Sequence, residues 1–177
     1  MKHKIWLTLV LFVTTLGLLP AYTDAAENVH FFAKVGIDVS SDYYPLGGFG
    51  DRFNFAGGAD ITVGEMFEIA PELLYHYIGV DGGDAINEID GTVSFRVAPK
   101  LSGSIQPYGF GGAGFYHVGD SSGALIQAGG GFRFTTKPQI FIEGTWHHFA
   151  GGFATSASGG YTFAGSNNFV IFGGVRF

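Results

Sequence analysis

The feature that most constrains the fold is an alternation of apolar and polar residues with a period of two, which recurs from residue 31 to the end of the chain. Within residues 86–98, for example, Ile89, Val93 and Phe95 alternate with charged or hydroxyl residues such as Glu88. Because successive side chains of a β-strand point to opposite faces, this pattern predicts strands with two different surroundings. Eight segments have the pattern, at residues 31–39, 52–63, 66–79, 86–98, 106–118, 124–135, 139–149 and 168–177.

Composition indicates which face of these strands meets water. Only 14% of the residues are charged, whereas 30 of 177 are Gly and 19 are Phe. A soluble barrel would need an exterior dense in Lys and Glu, but the polar faces here hold few charges among Gly, Ser and Thr, which suits a narrow lumen. Each apolar face is long enough to cross the ~25 Å apolar band of an outer membrane. We therefore predict an all-β fold, an eight-stranded antiparallel up-and-down transmembrane β-barrel. A soluble lipocalin-type barrel is disfavoured, because charged residues would line its ligand cavity.

The N-terminus has the pattern of a secretory signal peptide. A basic start is followed by the apolar run Ile5 to Leu19, and the small residues Thr23 and Ala25 flank Asp24 at the expected cleavage site. The run is shorter than the ~20 residues of a membrane-spanning helix. We expect residues 1–25 to be the signal peptide and residues 26–177 to form the barrel domain in the bacterial outer membrane.

Connection lengths predict the orientation of the barrel. The connections at 63–65, 99–104 and 136–138 are short, whereas those at 40–50 and 151–167 are long and rich in Gly, Ser and Asn. Outer-membrane barrels have short periplasmic turns and longer external loops, which places both termini in the periplasm. Aromatic residues are expected to form two interfacial belts. The inner belt comprises Phe31, Phe95, Tyr108, Phe134 and Phe177, and the outer belt comprises Tyr75, Tyr77, Tyr116 and Trp146.

The last ten residues resemble the C-terminal assembly signal of bacterial outer-membrane barrels. A terminal aromatic, Phe177, follows Val175, Ile171 and Phe169 at alternate positions. With the signal peptide and Gly-rich strands such as 108–116, the mature chain resembles the small barrels of the OmpA, OmpX and opacity-protein type. This resemblance implies recognition by the barrel assembly machinery and contact with outer-membrane lipid and lipopolysaccharide. It also implies a non-enzymatic role in the cell envelope or in adhesion.

The alternation predicts that most of the charged residues face inward. The interior of an eight-stranded barrel is just wide enough to be filled by side chains, and buried charges must be paired. We predict an ion-pair network that plugs the lumen, with a narrow ion channel as the alternative. Its members are Lys34, Asp60, Glu68, Glu72, Arg96, Arg133, Glu143 and Arg176, and Asp38 and Arg52 are also expected to face inward.

A second polar cluster is expected near the outer rim. If Val80 pairs with Ile86, His76 lies across from Asp90, with Glu88 beside it and His117 on the next strand. If His117 faces inward, alternation places Tyr108, Phe110 and Tyr116 of segment 106–118 on the outside of the barrel. A His with two carboxylates can bind a divalent metal or act in acid–base chemistry, but such a set is more often a satisfied polar layer. We therefore assign no metal, cofactor or catalytic residue.

A lipid A-modifying enzyme is the alternative to a non-enzymatic barrel. The outer-membrane lipid A deacylases are similar in size and use a His, a Ser and a Glu, with the Ser two residues after the His. Here His147 is followed by His148 and Phe149, so the Ser is missing.

The partners of the chain are only partly constrained by its sequence. The formal net charge of −6 argues against nucleic acid, because phosphate binding needs a basic surface. The long loops at 40–50 and 151–167 combine aromatic with small polar residues, which suits adaptable contacts. They leave an extracellular ligand or a host surface as a candidate partner.

Overall fold

The structure of the chain consists of β-strands joined by turns and loops. A computed structural model describes residues 28–41, 52–78, 86–119, 121–150, 153–155, 161–163 and 166–177. Within these ranges, no helix is long and apolar enough to cross a membrane. The strands are β1 (Val29–Ser41), β2 (Arg52–Thr62), β3 (Phe67–Ile78), β4 (Ile86–Val97), β5 (Ile105–Val118), β6 (Ser121–Phe134), β7 (Gln139–Ala150), β8 (Phe153–Thr155), β9 (Tyr161–Phe163) and β10 (Ser166–Arg176).

Eight of these strands form a closed antiparallel barrel. Each pairs with its neighbours along the chain, and β10 closes the barrel against β1. The predicted eight-stranded up-and-down barrel is confirmed, and the predicted strand ends agree with the observed ones to within three residues. The sequence predicts only a loop over residues 151–167, but the structure places the two-stranded hairpin β8–β9 within this connection.

The short connections and both ends of the barrel domain lie at one end of the barrel. The backbone N–H of Thr62 donates to Asn28 at 2.7 Å, and that of Phe177 donates to Phe31 at 2.8 Å. Gly64, in the turn between β2 and β3, has a φ of 88°, which a residue with a Cβ rarely adopts. Residues 1–27, which contain the expected signal peptide, and most of the expected loop 40–50 lie outside the described residues.

The outward face of the barrel is apolar. Phe115 is 74% exposed and Leu73 is 68% exposed, and Val, Ile and Phe residues of the other strands share this face. An exposed apolar surface of this extent is rare on soluble monomers and marks a surface that contacts a partner or a membrane. The barrel strands have between 11 and 14 residues, which is enough for a tilted strand to cross the apolar part of a bilayer.

Glycines and aromatic rings face each other across neighbouring strands inside the barrel. Phe172 on β10 is the cross-strand partner of Gly36 on β1, and its ring fills the space that a Cβ on Gly36 would occupy. The narrow lumen therefore accommodates a ring where the partner residue has no side chain. Five further pairs share this relation: Phe32 with Gly58, Tyr108 with Gly131, Phe110 with Gly129, Tyr116 with Gly123, and Phe141 with Gly174.

The expected facing of β5 is wrong. Tyr108, Phe110 and Tyr116 are buried in the lumen, whereas Phe115 and His117 face outward. The physical reason lies on β6, where inward-facing glycines leave room for the three rings. Tyr108 and Tyr116 therefore do not belong to the aromatic belts. The other expected belt residues are partly or fully exposed on the outward face: Phe31, Tyr75, Tyr77, Phe95, Phe134, Trp146 and Phe177.

Candidate functional site

Charged side chains fill the half of the lumen that lies toward the short connections. We call this set the inner network, and its members are 7% exposed or less. Together with the hydroxyl of Tyr108 on β5, it draws a polar group from every barrel strand. The inner network consists of Lys34, Arg96, Arg133 and Arg176 with Asp60, Glu68, Glu72 and Glu143.

Two arginines share the carboxylates of Glu68 and Asp60. Arg133 forms a two-pronged pair with Glu68, with Nη1–Oε1 at 2.8 Å and Nη2–Oε2 at 2.7 Å. Arg176 donates to Glu68 through Nη2 at 2.9 Å, and its Nε lies 2.9 Å from Asp60. Since paired Arg–carboxylate forks are strong and directional, these contacts fix β3, β6 and β10 relative to one another.

Lys34 and Arg96 neutralise the other two carboxylates, Glu72 and Glu143, and Nη2 of Arg96 lies 3.7 Å from each of them. The Nζ of Lys34 lies 2.6 Å from Glu143 and 2.8 Å from Glu72. Glu143 also accepts from the Tyr108 hydroxyl at 2.8 Å. Arg96 donates to Asp60 at 2.7 Å, which joins the two parts of the inner network. The four basic and four acidic side chains balance in formal charge.

A second buried cluster lies in the half of the lumen toward the long connections. His76, Glu88 and Asp90 are each at most 1% exposed, and one ligand atom from each lies within 4.8 Å of the others. We call these three residues the outer cluster. The Nε2 of His76 lies 3.0 Å from Asp90 and 4.0 Å from Glu88.

The expected pairing between β3 and β4 is shifted. His76 lies across from Glu88, and Asp90 lies across from Leu74. The reason is that β3 ends at Ile78, which pairs with Ile86, so that the expected Val80 pairing does not form. His76 still contacts Asp90, because the side chain reaches diagonally to the next inward position of β4.

His117 does not join the outer cluster. It is exposed on the outward face, and its Nδ1 lies 2.8 Å from the Ser122 hydroxyl. The imidazole that packs against His76 is that of His147, with 5.6 Å between ring centroids. The sequence does not single out His147 for this cluster, although its position on the inward face of β7 was a usable signal.

Amide side chains complete the polar part of this half. Gln127 lies 3.2 Å from His147 and donates to Thr92 at 2.9 Å. Asp38 accepts from Asn54 at 3.0 Å and from Asn168 at 2.9 Å. Asp38 therefore lies inside, as expected, and it is held by neutral donors. The side chain of Arg52, which is also expected to face inward, lies outside the described part of the structure.

The residues of the expected assembly signal lie at the closing strand. Phe169, Ile171 and Val175 alternate along the outward face of β10, and Phe177 follows its end. The opposite face of β10 points into the lumen, and Phe172 is one of its buried residues.

A serine–histidine pair is present on the outside of the barrel. Hydrolytic catalysis by such a pair needs a base oriented by a third group. In the part of the chain that the structure describes, no carboxylate is hydrogen-bonded to His117. His148 points away from the lumen and contacts Asn167 at 3.0 Å. A complete Ser–His–acid set is therefore not assembled by the described residues.

An apolar exterior, a closed antiparallel sheet and a charged, filled lumen define the fold of a small eight-stranded outer-membrane β-barrel. No protein-family model matches the sequence, and neither does any curated protein sequence. Among solved structures, the chain is similar to neisserial surface protein A, with a TM-score of 0.64 and 10% identity over 84% of this chain and 95% of that one. It is also similar to the outer-membrane enzyme PagL, with a TM-score of 0.52 and 15% identity over 82% of this chain and 98% of that one. At these identities the likeness shows a shared fold.

Proposed function

We propose that this chain is an integral outer-membrane protein with a closed lumen, which acts in envelope integrity or surface interaction and not in catalysis. The observation that carries the proposal is the distribution of polar and apolar side chains, which is the reverse of that in a soluble protein. Large apolar side chains cover the outside, whereas the buried side chains include four basic and seven acidic residues. Such an arrangement is stable when lipid surrounds the barrel.

The non-catalytic part of the proposal rests on what the polar groups do. Each member of the inner network forms ion pairs within the network, and this use of the charges is structural. His117, which contacts Ser122, has no carboxylate partner among the described residues to complete a catalytic set. Surface interaction would fall to the connections at the end opposite the termini, with an extracellular ligand or a host surface as the partner.

The route to the membrane forms part of the same proposal. Residues 1–25 direct export and are removed, and residues 26–177 are folded by the barrel assembly machinery, which reads Phe177 and the alternating apolar residues before it. The lipid and lipopolysaccharide of the outer membrane then surround the barrel.

Cell fractionation with a gel-shift assay tests the proposal. We expect the protein in the outer-membrane fraction, and we expect unheated samples to migrate differently from boiled ones in detergent gels because the closed barrel resists detergent. A protein in the soluble periplasmic fraction, with identical migration before and after boiling, would contradict the proposal.

A further inference from the structure

The outer cluster differs from the inner network in how its charge is balanced. In the inner network four basic groups meet four acidic groups. In the outer half, Glu88, Asp90 and Asp38 are buried, and no described Lys or Arg side chain forms an ion pair with any of them. Among the described residues, the basic group within ion-pair distance of Glu88 and Asp90 is the imidazole of His76. One imidazole carries at most one positive charge, and burying a carboxylate without a counter-charge costs several kcal/mol. Two neighbouring carboxylates on one face of β4 therefore call for a further cation.

The hydrogen bonds of the outer cluster are also incomplete. Oε1 of Glu88 and Oδ1 of Asp90 are buried and have no hydrogen-bond partner among the described residues. The same holds for Nδ1 of His147, whose ring packs edge-on against the ring of His76. Unpartnered atoms also occur in the inner network, such as Oε1 of Glu72, but there the other carboxylate oxygen is paired with Lys34. In the outer cluster, two unpartnered carboxylate oxygens lie beside a single imidazole, and each buried unsatisfied group destabilises the fold.

We propose that His76, Glu88 and Asp90 bind one divalent transition-metal ion, of which Zn²⁺ is the best match. One imidazole nitrogen and two carboxylate oxygens form a mixed donor set of the kind that Zn²⁺ accepts. Two ligands of one tetrahedral zinc ion lie about 3.4 Å apart, and the nitrogen of His76 lies 3.0 Å and 4.0 Å from the two oxygens. These two oxygens are Oδ2 of Asp90 and Oε1 of Glu88. The ion supplies the missing positive charge and takes up the unpartnered Oε1 of Glu88.

Two nearby buried residues, Asp38 and His147, lie beside the proposed site but are not among its ligands. Asp38 is already held by the amides of Asn54 and Asn168, so it is a buried carboxylate of the same half that is not a ligand. His147 contacts Gln127 through Nε2, and its ring limits the space beside His76. The preference for an imidazole nitrogen separates the proposed ion from Ca²⁺ and Mg²⁺, which favour oxygen ligands alone.

Metal retention and thermal unfolding of the folded protein in detergent test the site. The protein is stripped with a chelator, given Zn²⁺ and desalted, and its metal content and Tm are measured. We expect about one zinc ion per chain and a Tm several degrees higher than that of the stripped protein, because a bound ligand stabilises the folded state. Ca²⁺ at the same concentration is expected to leave the Tm unchanged.

The double variant Glu88→Gln with Asp90→Asn distinguishes this site from adventitious zinc. It preserves side-chain shape but removes both anionic ligands. We expect it to bind no zinc and, in the presence of the chelator, to melt at or above the temperature of the stripped wild type, because two unpaired charges are gone. Asp38→Asn is the matched control, and it should keep the zinc response.

Two results would overturn the proposal. The first is a wild-type protein that retains no zinc and shows no change in Tm. The second is an equal zinc response in the double variant. After the first result, an Arg52→Gln variant that melts at a lower temperature would identify Arg52 as the counter-charge in place of a metal ion.

Discussion

Arg133 on β6 and Glu68 on β3 meet inside the barrel through two parallel hydrogen bonds of 2.8 and 2.7 Å. Two strands, β4 and β5, separate their positions on the wall, so the pair spans the lumen. It links two parts of the barrel wall that do not pair with each other. The pair joins residues that are 65 positions apart, so it forms only when β3 to β6 have paired and curved toward each other.

Replacing Glu68 with Ala is expected to destabilise the barrel strongly. The substitution leaves the guanidinium groups of Arg133 and Arg176 short of a buried partner, and breaking a buried pair in this way costs about 3–5 kcal/mol. Urea unfolding of the protein in detergent or lipid measures the loss. Ile140→Ala, on the outward face of β7, is the control and should cost clearly less. Equal losses for the two variants would show that the pair contributes little.

Replacing Gly36 with Ala is expected to destabilise the barrel by about 1–3 kcal/mol through overpacking. A Cβ at this position would collide with the ring of Phe172 and with the backbone carbonyl of Ile171. Gly173 is the matched control, because it lies on the outward face of β10 and a Cβ there meets nothing within 4 Å. Gly173→Ala should change the free energy of unfolding by less than about 0.5 kcal/mol. Similar losses at both positions would contradict the ring-to-glycine packing.

The facing of β5 can be measured directly, because the chain has no Cys and single cysteines are unambiguous. Phe115→Cys is expected to react with a lipid-soluble thiol reagent, since this position is 74% exposed on the outward face. Tyr116→Cys should be protected in the folded barrel and should react after unfolding. Labelling of residue 116 and protection of residue 115 would show that β5 faces the opposite way.

No lipid A hydrolysis is expected from the pair His117 and Ser122. Incubation of the folded protein with lipopolysaccharide should release no acyl chains above the background of a Ser122→Ala variant, because no described carboxylate orients His117. Mass spectrometry of the lipid A measures the outcome, with a lipid A deacylase run as the positive control. Acyl release that is lost in Ser122→Ala would show that the pair is catalytic.

The fold was largely predictable from the sequence because charges mark the inward face. On β4, Glu88, Asp90 and Arg96 alternate with exposed apolar residues, and the structure buries all three. On β5 the two faces are aromatic and glycine-rich, and neither carries a charge that decides which is inside. Its facing depends on the glycines of β6, which become neighbours only after strand pairing.

The candidate sites were predictable to a lesser extent, because contacts depend on register and on non-neighbouring strands. The shifted pairing places Glu88 across from His76, which alternation alone does not fix. The contact between His76 and His147 joins strands that are far apart along the chain, so no spacing rule could find it. The inner-network residues follow from alternation alone, because every inward charge in that half needs a partner.

Planar-bilayer recording tests the central claim, a barrel whose lumen is closed by the inner network, most directly. Purified, folded protein should give no discrete conductance steps in a bilayer across a range of voltages. The Glu68→Ala variant, in the same bilayer, should give measurable leakage if it remains folded by the gel-shift assay. Stable, discrete conductance steps from the wild-type protein would contradict the claim and would show that ions pass through the barrel.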